Sequence, residues 1–540
     1  MAILTPYRDK SVLILDDMPE MRSSLRMQVG SLGCERIAVS SNVKDALEQF
    51  KTCAFDVILC DYYLSGGTDG QQFLEFLRTR KIISRAVLFV MVTAEKNYEN
   101  VVTAAECLPD DYLLKPFTAD LLKMRLERLL EKKQRLAPVD KLQDKGDWAG
   151  VIVACDEIIA AKDRYLVDVL RIKGNALLLA GSAEAASEFY RQMLAVRPLP
   201  WAKLGLARAL SRQGDVGRSK ETLNQLIAES PRLMVAYDLL GQLHLAAGDA
   251  AAALATLDSA RAISPNSLAR HRAIATVAEQ MGDFARVEQA LDQVVKKTRN
   301  SPLRETEDIA RLGNALTENG EPGKAVALLE EARTTFKGDA DNPLLAAVEA
   351  VAQQRAGHPE KAAAALARAM QSEPGKLPAN VAMAVARACL TTGQHGAAQD
   401  ILKNLVQSNP EATGLHEQIS SVLRDNGAGE MAENLVAESI REIIQLNNEA
   451  VQRAKAGELA LAAAMLTEAA QRLPGNVQIV ANAAAALLFD IFTNGLDADK
   501  LRKAQGFQQA VLERAPSHPK LAEIGDLMKR IRSKYMDGKK

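Results

Sequence analysis

The hydrophobic positions of this chain change period once. Up to about residue 135, short unbroken apolar runs alternate with stretches whose apolar residues recur every three to four positions. The runs are Val12-Leu13-Ile14-Leu15, Val57-Ile58-Leu59-Cys60, Val87 to Val92 and Tyr112-Leu113-Leu114, with Arg36-Ile37-Ala38-Val39 a weaker one. Helical patterns separate them at 20–32, 43–51, 70–79, 97–107 and 118–130. Strands alternating with helices predict right-handed βαβ units, a parallel sheet and a doubly wound α/β domain. Ligands of such sheets bind at the carboxyl ends of the strands.

Beyond about residue 137 the strand signal stops and a helical pattern repeats. Gly181, Gly214, Gly248 and Gly282 are spaced 33, 34 and 34 apart, and Gly320, Gly357, Gly393, Gly427 and Gly457 follow less evenly. A proline stands 17 residues after Gly181, Gly214, Gly248, Gly357, Gly393 and Gly457, at Pro198, Pro231, Pro265, Pro374, Pro410 and Pro474. Between glycine and proline lies an alanine-containing helix, as in Ala250 to Ala260. This reads as a helical hairpin: glycine takes the turn, small residues let the helices approach, and proline ends the unit. One hairpin cannot bury its own apolar face, so the hairpins must stack.

Composition narrows the class. Hydrophobic residues make up 48% of the chain but aromatics only 4%, so much of the apolar surface is Ala and Leu, which favours helix. Lys and Arg number 67 against 68 acids, a net charge of -1 that disfavours a strongly basic nucleic-acid binder. Cys34, Cys53, Cys60, Cys107, Cys155 and Cys389 form no CxxC pair, lie mostly among apolar residues, and read as reduced thiols of a cytosolic protein. The N-terminus has no long apolar segment, and no run of 18 uncharged apolar residues occurs, so a soluble, cytoplasmic chain without membrane insertion is expected. All six histidines (His244, His271, His358, His395, His416, His518) fall among the repeats, without metal spacing. The basic stretch Met528 to Lys534 reads as a solvated helix end.

The candidate chemistry lies at the strand ends. Asp16-Asp17 follow the first strand, Asp61 the third, Thr93 the fourth and Lys115 the fifth, so all converge on one edge of the sheet. Three carboxylates together repel one another unless a hard cation binds them, and oxygen ligands point to Mg²⁺. A threonine hydroxyl and a lysine ammonium complete a pocket suited to a phosphoryl group.

Over about residues 10 to 133 this constellation resembles the response regulator receiver domain, a flavodoxin-like (CheY-like) phosphoacceptor module. The resemblance implies that Asp61 is the phosphoacceptor and that Asp17 binds Mg²⁺ with Asp16 assisting. It makes the backbone carbonyl of Tyr63 a further metal ligand. Thr93 and Lys115 would hold the phosphoryl group, Thr93 and Tyr112 would act as the switch pair, and Lys115-Pro116 would be cis. Two features depart from the family pattern: one extra residue between Asp61 and Gly70, and Glu106 to Asp111 in place of the usual Gly-Ala before the fifth strand. Tyr63 and Glu95, each two residues past a pocket residue, are placed to screen the phosphoryl group from water.

The second half resembles the tetratricopeptide repeat family, best in Tyr237 to His244, Gly248, Ala253, Leu257, Ala260 and Pro265, while Val287, Arg299 and Lys337 depart from it. The expected architecture is a receiver at 1–135 followed by an all-α superhelical solenoid at 137–540. About eight or nine hairpins precede a polar capping helix, Lys520 to Tyr535, and Pro138 is the only break between receiver and repeats. The two resemblances imply a two-component response regulator, not an enzyme beyond its own phosphorylation and dephosphorylation. A sensor histidine kinase would phosphorylate Asp61, and phosphorylation would control a protein ligand held in the repeat groove. Groove candidates are Arg171, Asn175, Arg208, Asp238, Gln242 and Arg272. A homodimer through the receiver is a further expectation. The competing readings are a sequestering inhibitor of a neighbouring signalling enzyme and a phosphorylation-independent scaffold, with RNA or DNA binding by the repeats less favoured.

Overall fold

The computed structural model describes residues 7–64, 69–94, 109–299, 301, 303–335, 342–372, 375 and 377–535. Met1–Asp308 and Ile309–Lys540 form two compact units. The first opens with five parallel strands, β1 (Ser11–Leu15), β2 (Arg36–Ser40), β3 (Val57–Asp61), β4 (Leu88–Thr93) and β5 (Asp111–Leu114), in the order β2-β1-β3-β4-β5. Strand residues alternate between two cores. Val12, Ile14, Val57, Leu59, Val90 and Val92 face one, and Leu13, Leu15, Ile58, Cys60, Phe89 and Met91 face the other. Burial on both faces is why these strands read as continuous apolar runs and not as alternation.

Helices α1 (Pro19–Ser31), α2 (Val43–Phe50) and α3 (Gly70–Thr79) follow the first three strands. The predicted helix at 97–107 lies outside the described residues, as do Cys107, Glu95 and Glu106. The helix after β5 is therefore α4 (Ala119–Lys145), and it runs through Pro138 without a break. Leu122, Leu126 and Leu129 of α4 sit in the sheet's core, and Leu136 and Val139 sit in the next one with Val151, Cys155 and Val169. Packing in two cores holds the helix across a residue that lacks one backbone donor.

Helical hairpins follow. In the first unit they comprise α5 (Trp148–Ala160), α6 (Leu166–Leu179), α7 (Ala183–Val196), α8 (Pro200–Arg212), α9 (Val216–Glu229), α10 (Met234–Ala246), α11 (Ala250–Ile263), α12 (Leu268–Gln280) and α13 (Phe284–Thr298). The glycines of the repeat take the turns in the left-handed region, Gly181 at φ +79°, Gly214 at +82°, Gly248 at +80° and Gly282 at +71°. No atom crowds these four, so the requirement is conformational and not spatial. Gly146, between α4 and α5, does the same at φ +72°. Asp147, Asp215, Asp249 and Asp283 follow four of these glycines, and each accepts a hydrogen bond from the backbone N–H three residues on, at 2.9 to 3.1 Å. Gly-Asp thus ends one helix and caps the next.

Small residues let the hairpins close. Tyr190 is 1% exposed and packs against Gly174 and Gly205 on two other helices. Gly241 admits Leu257, whose Cγ would lie 3.0 Å from a Cβ there.

The second unit continues with glycine turns at Gly320, Gly357, Gly393, Gly427 and Gly457. One helix, Gly429–Lys455, spans 27 residues and lies between the last two turns, serving both hairpins. Pro374 and Lys337 lie outside the described residues. Among the described residues one helix, Val477–Asn494, has the length and apolarity to cross a membrane; 56% of it is buried inside the fold. The final helix, Lys520–Tyr535, caps the array with Ile524, Leu527 and Ile531 inward. Its basic face is not wholly free: Arg530 and Lys534 stand 4.7 and 4.5 Å from the centre of the Phe492 ring.

Candidate functional site

The sheet brings five of the expected residues to one edge. Asp16, one residue past β1, is fully buried, and Asp61, the last residue of β3, is 7% exposed. Thr93, the last residue of β4, is buried too, and Asp17 is half-buried. Lys115 follows β5, and its backbone N–H donates to the Thr93 carbonyl at 2.7 Å, which fixes it beside the acids. The carboxylate oxygens of Asp16, Asp17 and Asp61 lie within 4.8 Å of one another. The Lys115-Pro116 bond is cis.

The electrostatics are those of a crowded acid pocket in which Lys115 bridges two of the acids. Lys115 Nζ donates to Asp16 Oδ2 and Asp61 Oδ2, each at 2.8 Å. Burial pushes the Asp61 carboxyl up, the bond and charge of Lys115 and the Tyr63 backbone oppose this, and Asp16 adds to the rise. Burial works against the Lys115 charge, but its two carboxylate partners outweigh it and hold the ammonium above its ordinary value. One ammonium does not neutralise three carboxylates, so the pocket favours a further hard cation. The donor set, three carboxylates within reach of one ion, fits Mg²⁺.

Local structure holds the acids in place. Asp16 Oδ1 accepts from the Met18 N–H at 2.9 Å, and its backbone carbonyl accepts from Arg22 at 2.7 Å. Gly70 is required by space: a Cβ there would lie 2.4 Å from the Asp61 carbonyl oxygen and 2.7 Å from Met91 Sδ. Asp69 caps α3, accepting from the Gln72 N–H at 2.7 Å, while the Gln72 side chain accepts from the Asp69 N–H. The sequence reading had not singled out Asp69, although Asp-Gly-Gln-Gln is a capping-box signature. The glycines between Asp61 and Asp69 lie outside the described residues.

The Tyr63 ring is 55% exposed and packs edge-on against Tyr62 at 4.9 Å. Tyr112 is half-buried against the core that holds Phe89 and Met91, and burial, with the charge of Glu75, raises its phenol.

The groove candidates divide. Asp238 accepts both arms of Arg270 at 2.9 and 3.1 Å, and Arg272 is committed to Asp308 at 2.7 to 3.0 Å and to Glu305 at 3.3 Å. Arg270 and Asp308, which the sequence reading missed, are almost fully buried and hold successive hairpins together. The Arg171 guanidinium stands 5.6 Å over the Trp201 ring. Asn175 and Gln242 are exposed, and Arg208 is half-buried beside Tyr190.

Comparison with known proteins agrees with this geometry. The response regulator receiver domain signature matches residues 12–127, and tetratricopeptide repeat signatures match 204–267 and 244–304. The chain is 30% identical over 121 residues to the chemotaxis protein CheY of Pseudomonas aeruginosa, covering 22% of this chain and 96% of that one. Among solved structures, the receiver domain of Francisella response regulator 1452 is 27% identical, covering 23% of this chain and 98% of that one, with a TM-score of 0.21. A tetratricopeptide repeat protein from Parabacteroides merdae is 15% identical, covering 48% of this chain and 98% of that one, with a TM-score of 0.30. The chain therefore belongs, through residues 12–127, to the response regulator receiver family, and it carries tetratricopeptide repeats behind that domain.

Proposed function

We propose that this chain is a two-component response regulator in which phosphorylation of Asp61 controls what the repeats bind. The observation that carries the proposal is the joint placement of Asp16, Asp17, Asp61, Thr93 and Lys115 on one sheet edge, with Lys115 at 2.8 Å from both Asp16 and Asp61. The donor is a phosphohistidine of a sensor histidine kinase. An Asp61 carboxylate oxygen attacks phosphorus, the P–N bond breaks as the P–O bond forms, and the leaving imidazole keeps its electron pair. Asp16, Asp17, Asp61 and the Tyr63 carbonyl would hold Mg²⁺, which supplies charge neutralisation at the phosphoryl oxygens. Lys115 moves its ammonium from carboxylate to phosphoryl oxygen, and the Thr93 hydroxyl donates to another. Tyr112 follows Thr93 inward, a shift between two pre-existing states.

The repeats are the output, a cytoplasmic surface for a protein ligand. Arg171, Asn175, Arg208 and Gln242 remain as groove residues, whereas Asp238 and Arg272 serve inter-hairpin ion pairs. A net charge of -1 supports a protein partner over a nucleic acid. The test is incubation with acetyl phosphate and Mg²⁺, read by mass spectrometry: wild type gains one phosphoryl group and Asp61→Ala gains none. Equal labelling of both would overturn the assignment. A pulldown comparing beryllofluoride-treated wild type with Asp61→Ala then finds the partner, and identical captures would remove the control by phosphorylation.

A further inference from the structure

Helices Leu459–Arg472, Val477–Asn494 and Ala498–Arg514 of the second unit line an open cleft of about 400 Å³. Leu459–Arg472 and Ala498–Arg514 are the second helices of their hairpins, so this is not the first-helix groove. The floor is apolar, made by Ala470, Val480, Phe507 and Ala510, which pack in one core. The rim carries charge of one sign. Lys503 and Arg514 share a helix face with Phe507 and Ala510, at spacings of four, three and four residues. Among the described residues no acid lines the cleft, and neither cation forms an ion pair or a side-chain hydrogen bond. Their neighbours are committed, Lys500 to Asp490 at 2.6 Å and Arg502 to Asp499 at 3.4 Å.

Gly506 points to a ligand independently. A glycine inside a helix is destabilising relative to alanine. No atom of the fold lies within 4 Å of the place its Cβ would take, so packing does not require it. Its effect is to leave the cleft open beside Phe507, where a bound backbone can approach. Past Arg514 the cleft continues into a cavity of about 590 Å³ that shares Gln471, Pro474 and Arg514 and is faced by Asn404, Ser408 and Asn409. Its walls are tied across the chain. Asn476, 3% exposed, donates to the Gln407 carbonyl at 2.7 Å, and Asn404 donates to the Arg472 carbonyl at 3.4 Å. An apolar slot between two cations thus leads into a polar one lined with amides, in a frame held by the fold's own hydrogen bonds.

We propose that this cleft docks an extended acidic peptide segment of a partner protein, at a site separate from Arg171, Asn175, Arg208 and Gln242. The proposal stands apart from phosphorylation of Asp61. Lys503 and Arg514 are 11 residues apart, about 16 Å along the helix axis. An extended peptide covers that distance in about five residues. The ligand therefore carries two carboxylates about five residues apart, with a leucine-sized side chain between them held against Phe507. A nucleic-acid strand, with a charge about every 3.4 Å, would leave most of its phosphates unmet between these two cations.

Fluorescence anisotropy on the full chain tests this. The probe is a fluorescein-labelled Glu-Ser-Pro-Leu-Ser-Glu peptide, whose proline favours an extended form. Saturable binding that weakens with salt is expected, with a Kd on the order of 10–100 µM. No saturation below about 1 mM would overturn the site. Replacing both glutamates of the probe by lysine, or its leucine by serine, should weaken binding roughly tenfold; equal affinity of either control would overturn the acidic, apolar ligand. In the protein, Lys503→Glu combined with Arg514→Glu should raise the Kd roughly tenfold. Gly506→Leu fills the slot and should raise it as much, while thermal melts show no loss of stability. An unchanged Kd in either variant would place the peptide elsewhere and overturn the proposal. A short oligouridine should not displace the probe; displacement at similar concentration would make the cleft a nucleic-acid site instead.

Discussion

Gly205 is where the repeats tolerate least. A Cβ built there would lie 2.2 Å from Tyr190 Cζ and 2.3 Å from Cε1. Carbon atoms in contact sit about 3.5–4.0 Å apart, so Gly205→Ala asks the ring to retreat by more than about 1 Å. The ring is already closed in by Gly174, whose own Cβ would lie 2.6 Å from Tyr190 Oη. Alanine in mid-helix returns about 1 kcal/mol of propensity. Overpacking a filled core costs about 1–3 kcal/mol, and a clash with a ring held from two helices belongs at the upper end. Expelling the ring instead forfeits on the order of 3–5 kcal/mol of burial. A net loss of about 2 kcal/mol follows from these terms. Because stacked repeats open locally, the assay is hydrogen exchange of 183–212 beside a urea melt. In the Tyr190→Leu background the same alanine should cost nothing or stabilise, a non-additivity above about 1 kcal/mol. A stabilising Gly205→Ala in the wild-type background, or an additive cycle, would refute the reasoning.

The other expectations concern backbone, phosphate lifetime and pH. Gly248→Ala, at φ +80° with open space around it, should cost roughly 1–2 kcal/mol, whereas Gly506→Ala, inside a helix and equally uncrowded, should gain roughly 0.5–1 kcal/mol; effects of one sign in thermal melts would show that φ is not what decides. Tyr63→Asn trims an exposed ring beside the acceptor and should speed hydrolysis of the acyl phosphate roughly three- to tenfold, on the order of 1 kcal/mol of barrier; an equal or longer lifetime in a phosphate-release assay would remove the shielding role. Burial pushes Asp69 up from 3.8 to about 6, with the Gln72 N–H, the Lys297 charge and the Gln71 N–H opposing. The folded state then binds this proton more tightly than the unfolded one, so the contribution is fully present below pH 3.8 and is lost as pH rises to about 6. Asp69→Asn keeps the cap acceptor and removes the titration, so wild type should lose stability relative to the variant across that window; a pH-independent difference in urea midpoint would contradict the sign.

Much of the site was readable in one dimension because a parallel sheet converts strand ends into neighbours. Asp16, Asp61, Thr93 and Lys115 needed only the strand assignments to be placed together. The hairpin turns were readable because only glycine takes their φ without strain. Gly146 was not legible as a repeat turn because it follows a helix that begins in the sheet's core, and the Gly-Asp caps were not because Asp after Gly is common in any turn. Pro138 looked like a break, since sequence carries its missing donor but not the two cores that hold α4 together across it. Among the groove candidates, polarity on a first helix could not separate Arg171 from Arg272; the partner of Arg272, Asp308, stands 36 residues away.

The sequence by itself determined the order of elements, the glycine turns and the chemical kind of the acid edge, because each depends on local conformation or on the ends of strands. Tertiary structure decided which charges are spent: Arg270 and Asp308 on holding hairpins, Lys133 on Asp110. Periodicity says which face a residue occupies, but only the fold says what comes to stand opposite it. For a carboxylate or an ammonium, what stands opposite settles whether its charge holds the molecule together or remains to meet a partner.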